Sequence, residues 1–171
     1  MKANRLRFRP ICGKVEVISM NDGQLDVFDR KILTILSQDG RIAVTDLARH
    51  VGLSKSPCQV RMKRLQADGY IQGFRAQLDP GKMGLEHVAF VEVRLTDTTE
   101  TALKAFAAAV LKVPEIEQCH MIAGAFDYLL KVRTRDIMGY RQVLGEKVSA
   151  LPFVASTSTH VSMESIKDDG F

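Results

Sequence analysis

The sequence predicts an α+β protein of two domains, an N-terminal winged helix-turn-helix domain followed by a C-terminal ferredoxin-like βαββαβ domain. Two observations carry this prediction. Residues 25–69 have the apolar periodicity of three short helices, with a turn of about three residues between the second and the third. From residue 87 onward, β-rich segments alternate with helical segments in the order βαββαβ.

The elements of the first domain follow from apolar spacing and from residues that end helices. Apolar residues three and four positions apart predict a helix over 25–38, which Asp39-Gly40 ends. A second short helix over 44–51 is closed by Gly52. The third helix follows Ser54, a good N-cap, and carries Pro57 in its first turn, where the missing N–H breaks no helical hydrogen bond. Residues 70–78 then alternate like a wing or a linker strand.

The second domain is predicted to form one sheet with two helices. Its strands are expected at 87–95, 116–122, 128–132 and 154–163, and its helices at 99–112 and 136–150. Two helices cover only one face of such a sheet, and the apolar alternation of the other face predicts a second copy of the chain as its partner. The predicted divisions are a basic extension at 1–20, the helix-turn-helix at 21–70, a linker strand and turn at 71–84, the βαββαβ domain at 85–167 and a tail at 168–171.

The positive charge of the chain is local. Residues 1–19 hold five cations and one acid, so they account for the whole net charge of +4 among the 171 residues. A diffuse polycation is excluded, and residues 1–20 are interpreted either as a disordered arm on nucleic acid or as a segment upstream of a start at Met20. No apolar run approaches the ~20 residues that span a bilayer, and the basic N-terminal segment lacks the continuous apolar core expected of a secretory signal, so we expect a cytoplasmic protein without membrane contact.

Cysteine and histidine spacing gives no indication of a metal site. Cys12, Cys58 and Cys119 form no CxxC pair and have no spacing that suits zinc, so free thiols are expected. His87 and His120 are expected to be interior or interface imidazoles. We therefore expect neither a metal nor a cofactor.

The third predicted helix carries the candidate DNA-binding surface. Four cations and no acid lie between Leu53 and Asp68. Cys58, Met62 and Leu65 form the inner stripe, so polar and basic residues remain on the face that a helix-turn-helix presents to the major groove. Gln reads adenine, Lys and Arg read guanine or hold phosphate, and short polar residues at a helix N-terminus suit phosphate. The predicted contacts are Ser54, Lys55, Ser56, Pro57, Gln59, Val60, Lys63 and Arg64.

Other interpretations of this helix remain open. A run of cations is often only a solvated helix face. Arg61 lies near the inner edge, and it either joins the DNA contacts or pairs with an acid of the first helix such as Asp29. An architectural DNA-compacting protein would need the same charge with little sequence specificity.

The segment LDVFDRKILTILSQDGRIAVTDLARHVGLSKSPCQVRMKRLQADGYIQGF resembles the N-terminal domain of the Lrp/AsnC family of bacterial and archaeal regulators. The resemblance continues through the βαββαβ half, including GAFDYLL at 124–130, and covers about residues 24–167. It implies a transcriptional regulator that binds double-stranded DNA, dimerises through the C-terminal domain and assembles further, with an octamer expected. It also implies an amino-acid effector bound between subunits. The leucine-responsive branch and the proline-responsive activators of proline dehydrogenase genes are the most similar branches.

The resemblance places the effector site at Gly124, Ala125, Phe126, Asp127, Tyr128, Ile137, Thr159, His160, Val161 and Ser162. In this interpretation Gly124 lets the backbone turn and present N–H groups to a carboxylate, and Asp127 accepts the α-ammonium. Phe126 and Tyr128 would shape the pocket. The alternative for Asp127 is a turn residue bonded to its own backbone.

The last strand departs from the leucine-responsive pattern. Those members carry an aromatic residue and two aliphatic residues where this chain has His160, Val161 and Ser162. The more polar lining leaves amino acids other than leucine open, so leucine and proline are both candidate effectors.

An enzyme is the rival from another class. Some Lrp-like proteins decarboxylate sirohaem and need His and Arg residues facing a tetrapyrrole cavity, a role for which His87, His120 and His160 are candidates. Such an enzyme has no need of a cation-rich, acid-free third helix. We therefore expect a regulator without catalytic residues.

Overall fold

The computed structural model describes residues 25–167, and the chain divides between Gln77 and Leu78 into two units. This division lies inside the predicted linker at 71–84. The predicted extension at 1–20 and the tail at 168–171 lie outside the described residues, as does Cys12.

The N-terminal unit contains the three predicted helices, α1 (Val27–Gln38), α2 (Val44–Val51) and α3 (Lys55–Ala67). The first helix begins with a reciprocal cap: the Asp26 carboxylate accepts from the backbone N–H groups of Phe28 and Asp29, and Asp29 accepts from the Asp26 N–H at 3.1 Å. The second helix ends at Gly52, whose φ of 79° is the left-handed conformation that glycine adopts without strain.

The core of this unit confirms the predicted inward faces. The buried side chains from the three helices are Ile32, Leu36, Leu47, Ala48, Val51, Cys58 and Leu65. Ser54 occupies the N-cap position of α3, although its side chain makes no capping hydrogen bond. Pro57 lies in the first turn, as predicted.

The predicted strand at 70–78 is not formed. Residues 71–79 have no regular secondary structure, and the four strands of residues 25–167 all lie between 87 and 161. An extended segment needs a neighbouring strand before its backbone groups can form sheet hydrogen bonds.

The C-terminal unit has the predicted βαββαβ order. Its elements are β1 (His87–Leu95), α4 (Glu100–Val110), β2 (Ile116–Met121), β3 (Tyr128–Thr134), α5 (Ile137–Val143) and β4 (Val154–Val161). The strands form one antiparallel sheet in the order β2-β3-β1-β4, which is the ferredoxin-like arrangement. The helix predicted over 136–150 continues after α5 as a π-helix, Leu144–Val148.

The two helices pack on one face of this sheet. Ala89, Val91 and Val93 of β1 meet Phe106 of α4 and Tyr140 of α5 in a single buried cluster. Among residues 25–167, no helix is long and apolar enough to cross a membrane.

The other face is more polar than predicted. Glu117 is bound there by Arg133 (Nε to Oε1, 2.5 Å) and by Lys131 (Nζ to Oε2, 3.1 Å), and all three side chains are largely buried. Phe90 lies among them on β1, opposite Lys131. The expected apolar alternation is therefore wrong for β3, because two of the three residues that it presents to this face, Lys131 and Arg133, are charged.

Candidate DNA-binding and effector sites

The structure places every predicted DNA contact on the exposed side of α3. Cys58 and Leu65 are fully buried, which fixes the rotation of the helix. The exposed residues are Ser54, Lys55, Ser56, Pro57, Gln59, Val60, Lys63 and Arg64. Val60 is 68% exposed, so its methyl groups lie on the same outward face as the polar and basic residues.

Two of the four cations on α3 are bound to α1. Arg61 Nη1 lies 2.5 Å from Asp26 Oδ2 and 2.9 Å from Asp29 Oδ1, and Arg64 Nη2 binds the other oxygen of Asp29. The Arg61 guanidinium also lies 5.4 Å from the centre of the Phe28 ring. We call this group of charges the α1–α3 clamp. It confirms the pairing of Arg61 with Asp29.

The clamp shifts the pKa values of Asp26 and Arg61. The backbone N–H of Asp29, and then the Arg61 guanidinium, lower the pKa of Asp26, although partial burial opposes them. Hydrogen bonds to Asp26 and Asp29 raise the pKa of Arg61. Asp29 itself is only 1% exposed, so its two guanidinium partners compensate a buried carboxylate.

The clamp corrects the prediction for Arg64. Its guanidinium binds Asp29, so it is not a free outward cation, even though 47% of the side chain is exposed. Lys55 and Lys63 form no ion pair with any acid of residues 25–167, and both are exposed. The charge available to an external anion on α3 is therefore carried mainly by these two lysines.

The start of α3 offers further donors. First-turn N–H groups of a helix have no intrahelical acceptor, and the Ser54 side chain does not supply one. Such N–H groups suit a phosphate oxygen. In α3 these donors are the backbone N–H groups of Lys55 and Ser56, since Pro57 has no N–H.

In the C-terminal unit, the Asp127 carboxylate has a structural partner. Its Oδ2 accepts from Leu95 N–H at 2.7 Å, and its own N–H donates to Val93 O at 2.9 Å. Asp127 therefore joins the GAFD turn (Gly124–Asp127) to the end of β1. No hydrogen bond to Oδ1 is formed within the described chain, so one oxygen stays available for an ammonium group.

Two predicted roles in this turn are corrected. Tyr128 is 4% exposed, and its ring centre lies 4.4 Å from that of Phe106, so it belongs to the core and does not shape a pocket. Burial raises the pKa of its hydroxyl. Gly124 does not have a positive φ, and a Cβ there would meet Ile122 Cγ2 at an ordinary 3.5 Å, so the turn does not require glycine.

The predicted effector residues lie at opposite ends of the sheet. The GAFD turn meets the end of β1 near Leu95, whereas Ser162 N–H donates to Val88 O at 2.9 Å near its start. Seven residues of strand separate these points, which is roughly 23 Å. Ile137 follows β3 at the same end as Ser162. One chain therefore does not bring the ten residues together.

The β4 residues of this set also face two ways. Thr159 and Val161 lie opposite Val91 and Ala89 on the helix side, where Thr159 Oγ1 is 2.5 Å from the Tyr140 hydroxyl. His160 faces the other side, with its Nε2 3.3 Å from Glu92 Oε1. The predicted stretch from Thr159 to Ser162 is thus not one continuous lining.

A cleft of about 780 Å³ was not predicted. It lies beside α5 and the π-helix, and its lining includes Glu115, Asp136, Met138 and Arg141. None of the ten predicted effector residues lines it, nor does any histidine. No motif in the sequence indicates this cleft, because its walls come from three separate segments, at 85, 115 and 134–146.

The thiols and histidines show no reactive grouping. Burial raises the pKa of Cys58, and raises that of Cys119 to about 11, so both thiols stay protonated near neutral pH. His87 bonds Thr134 Oγ1 at 3.1 Å and lies beside Tyr140. Among residues 25–167, no three His, Cys, Asp or Glu side chains are arranged to hold a metal ion.

Two family models match the chain. Residues 25–72 match a winged helix-turn-helix DNA-binding model, and residues 88–170 match the Lrp/AsnC ligand binding domain. The chain is 62% identical over 146 residues to the proline dehydrogenase transcriptional activator of Rhizobium radiobacter, covering 85% of this chain and 94% of that one. It is 45% identical over 143 residues to the leucine-responsive regulatory protein of Salmonella typhimurium, covering 84% and 87%.

Solved structures agree with these matches. An AsnC family transcriptional regulator from Agrobacterium tumefaciens superposes with a TM-score of 0.79 at 36% identity, covering 84% of this chain and 94% of that one. A transcriptional regulator from Neisseria meningitidis in complex with L-Met gives a TM-score of 0.77 at 31% identity, covering 84% and 93%. The relatives are named as regulators, which does not favour the decarboxylase alternative. With a DNA-binding helix-turn-helix and an amino-acid ligand domain on one chain, the protein belongs to the Lrp/AsnC family of transcriptional regulators.

Proposed function

We propose that this regulator binds DNA sequence-specifically through α3 and controls a gene of amino-acid metabolism in response to an amino acid. The observation that carries the DNA part is the exposed face of α3, held in place by the α1–α3 clamp. Lys55 and Lys63 hold phosphates, together with the free N–H groups at the helix start. Gln59 and Val60 read base edges, the amide on adenine and the methyl groups on thymine.

L-proline is our first candidate effector, and leucine is the second. Two relatives, 62% and 55% identical to this chain, are named proline dehydrogenase transcriptional activators, whereas the 45% identical relative is named a leucine-responsive regulatory protein. The open Oδ1 of Asp127 is the proposed acceptor for the effector's ammonium group.

We also propose that the protein works in the cytoplasm as a dimer that assembles further, with the octamer as the expected state. The sheet face away from the helices supports a partner copy, since Phe90 there is 36% exposed beside buried charges. The separation of the predicted effector residues also supports a site built between chains. Sedimentation velocity on the full chain measures the assembled mass.

A DNA titration tests the role of α3. Lys63→Ala should weaken binding to all duplexes and reduce the salt slope by about 1, while Gln59→Ala should lower the preference for the target site over random DNA. Lys31→Ala is the matched control, because Lys31 is also an exposed cation but lies on α1. If the Lys31 variant lost as much affinity as the Lys63 variant, α3 would not be the DNA-contacting helix.

A thermal-shift screen against the twenty amino acids tests the effector. An amino acid at a hundred times its dissociation constant adds ~2.7 kcal/mol to the stability of the folded state. Asp127→Asn keeps an oxygen for Leu95 N–H but removes the negative charge, so it should abolish the shift while leaving DNA binding without effector intact. A wild-type chain that responded to none of the twenty would refute the proposed effector.

A further inference from the structure

Phe153 has a backbone conformation that its side chain disfavours. Among residues 25–167 it is the one residue other than glycine with a positive φ, at 63°. A bulky side chain in this region is a true outlier, since Cβ crowds the backbone. Such strain persists where the surroundings impose it, and it is concentrated at functional sites.

The surroundings do impose it. Phe153 O accepts two hydrogen bonds from Thr96, one from the backbone N–H at 2.7 Å and one from Oγ1 at 3.2 Å. These bonds fix the peptide at the start of β4. The pairing of β1 with β4 is irregular at this point, between Arg94 and Leu95.

Packing does not explain the aromatic ring. The neighbours Leu151 and Val154 pack with the core of the C-terminal unit, but Phe153 is not among its members. The Phe153 side chain is 41% exposed. A residue that tolerates positive φ, such as glycine or asparagine, would satisfy the Thr96 bonds without strain.

The position of Phe153 connects it to the proposed effector site. Thr96 follows Leu95, whose N–H binds Asp127, so Asp127 and Phe153 lie on either side of the same end of β1. Two inter-strand spacings separate their backbones, roughly 10 Å. The Asp127 side chain, a bound amino acid and the Phe153 side chain together are long enough to fill this distance, with the ammonium group at Asp127 Oδ1.

We infer that Phe153 is the apolar contact for the effector's side chain at the GAFD end of the sheet and so helps to determine which amino acid is bound. This inference rests on the proposed function. An aromatic face suits an aliphatic side chain or a pyrrolidine ring, because it offers a rigid apolar surface of large area. It supplies the apolar wall that Tyr128, buried in the core, cannot provide.

The test is isothermal titration of the full-length protein with the amino acid that gives the wild-type thermal shift. Phe153→Gly and Phe153→Asn remove the ring at a position where both residue types tolerate the backbone, and circular dichroism checks that they fold. Each should raise the dissociation constant at least tenfold. Phe153→Tyr keeps the ring and should stay within about twofold of wild type. Leu111→Ala, which shortens another exposed apolar side chain (79% exposed, after α4), is the matched control and should also bind normally.

The outcomes separate the two proposals. If the wild type binds an amino acid and the ring-deleted variants bind it equally well, the role of Phe153 is refuted and the proposed effector stands. If those variants change the sedimenting mass but not the dissociation constant, Phe153 is a subunit contact and the inference is again wrong. If the wild type binds no amino acid, both the proposed effector and the role of Phe153 are refuted.

Discussion

Replacing Asp29 by alanine should destabilise the N-terminal unit more than any exposed ion pair could. The carboxylate is 1% exposed and takes part in three interactions: the Asp26 N–H at 3.1 Å, Arg61 Nη1 at 2.9 Å, and Arg64 Nη2. The reciprocal cap contributes about 1 kcal/mol. Breaking a buried ion pair costs about 3–5 kcal/mol, and the lower end applies because both guanidinium groups still reach water.

We therefore expect Asp29→Ala to lose about 4 kcal/mol of unfolding free energy in the N-terminal unit. Urea unfolding of the full chain, followed by circular dichroism at 222 nm, measures the loss. Hydrogen exchange should locate it in α1 and α3. The control is Asp46→Ala, which removes an equal charge from the exposed pair with Arg49 at 2.6 Å and should cost less than about 1 kcal/mol. Equal losses in the two variants would show that burial of the clamp contributes nothing.

Four further outcomes follow from the structure. The pKa of Asp26 is lower in the folded state than its unfolded value of 3.8. Its contribution to stability is therefore present above pH 3.8 and is lost as pH falls through the lower folded value. In Asp26→Ala, the free energy of unfolding should depend less on pH in this range. Tyr140→Phe removes the hydroxyl bonded to Thr159 Oγ1 at 2.5 Å and should cost about 1 kcal/mol in chemical denaturation. Gly52 has a φ of 79°, and a Cβ added there would meet nothing within 4 Å. Gly52→Ala should therefore lower the melting temperature through backbone strain of about 1 kcal/mol and not through a steric clash. Cys119, with its pKa raised to about 11, should resist iodoacetamide at pH 8 until denaturant is added, as mass spectrometry would show; rapid labelling of the native protein would contradict its burial.

The order of helices and strands could be predicted from the sequence because each element carries its own signal. Apolar periodicity predicted most helix ends to within two or three residues. Gly52 marked the end of α2, and Pro57 marked the first turn of α3. The long helix over 136–150 could not be divided from its sequence, because the change to a π-helix at Leu144 alters hydrogen bonding and not the apolar pattern.

The sites were predicted less completely, because side-chain partners that are distant in sequence leave no local pattern. Arg64 has the spacing of an outward residue, yet its guanidinium turns to Asp29, 35 positions earlier. Tyr128 was assigned to the pocket with its neighbour Asp127, but β3 begins at Tyr128 and its ring packs against Phe106 in the core. The strain at Phe153 was not predicted, since nothing in its sequence context distinguishes a positive φ.

The separation of the GAFD turn from Ser162 has a genetic consequence. If a single effector site takes residues from both ends of the sheet, the two ends must come from different chains. A chain altered at Asp127 and a chain altered at His160 would then form some intact sites when they are expressed together, although each alone has none. Loss-of-response alleles of this gene should therefore fall into two classes that complement each other, and alleles within one class should not.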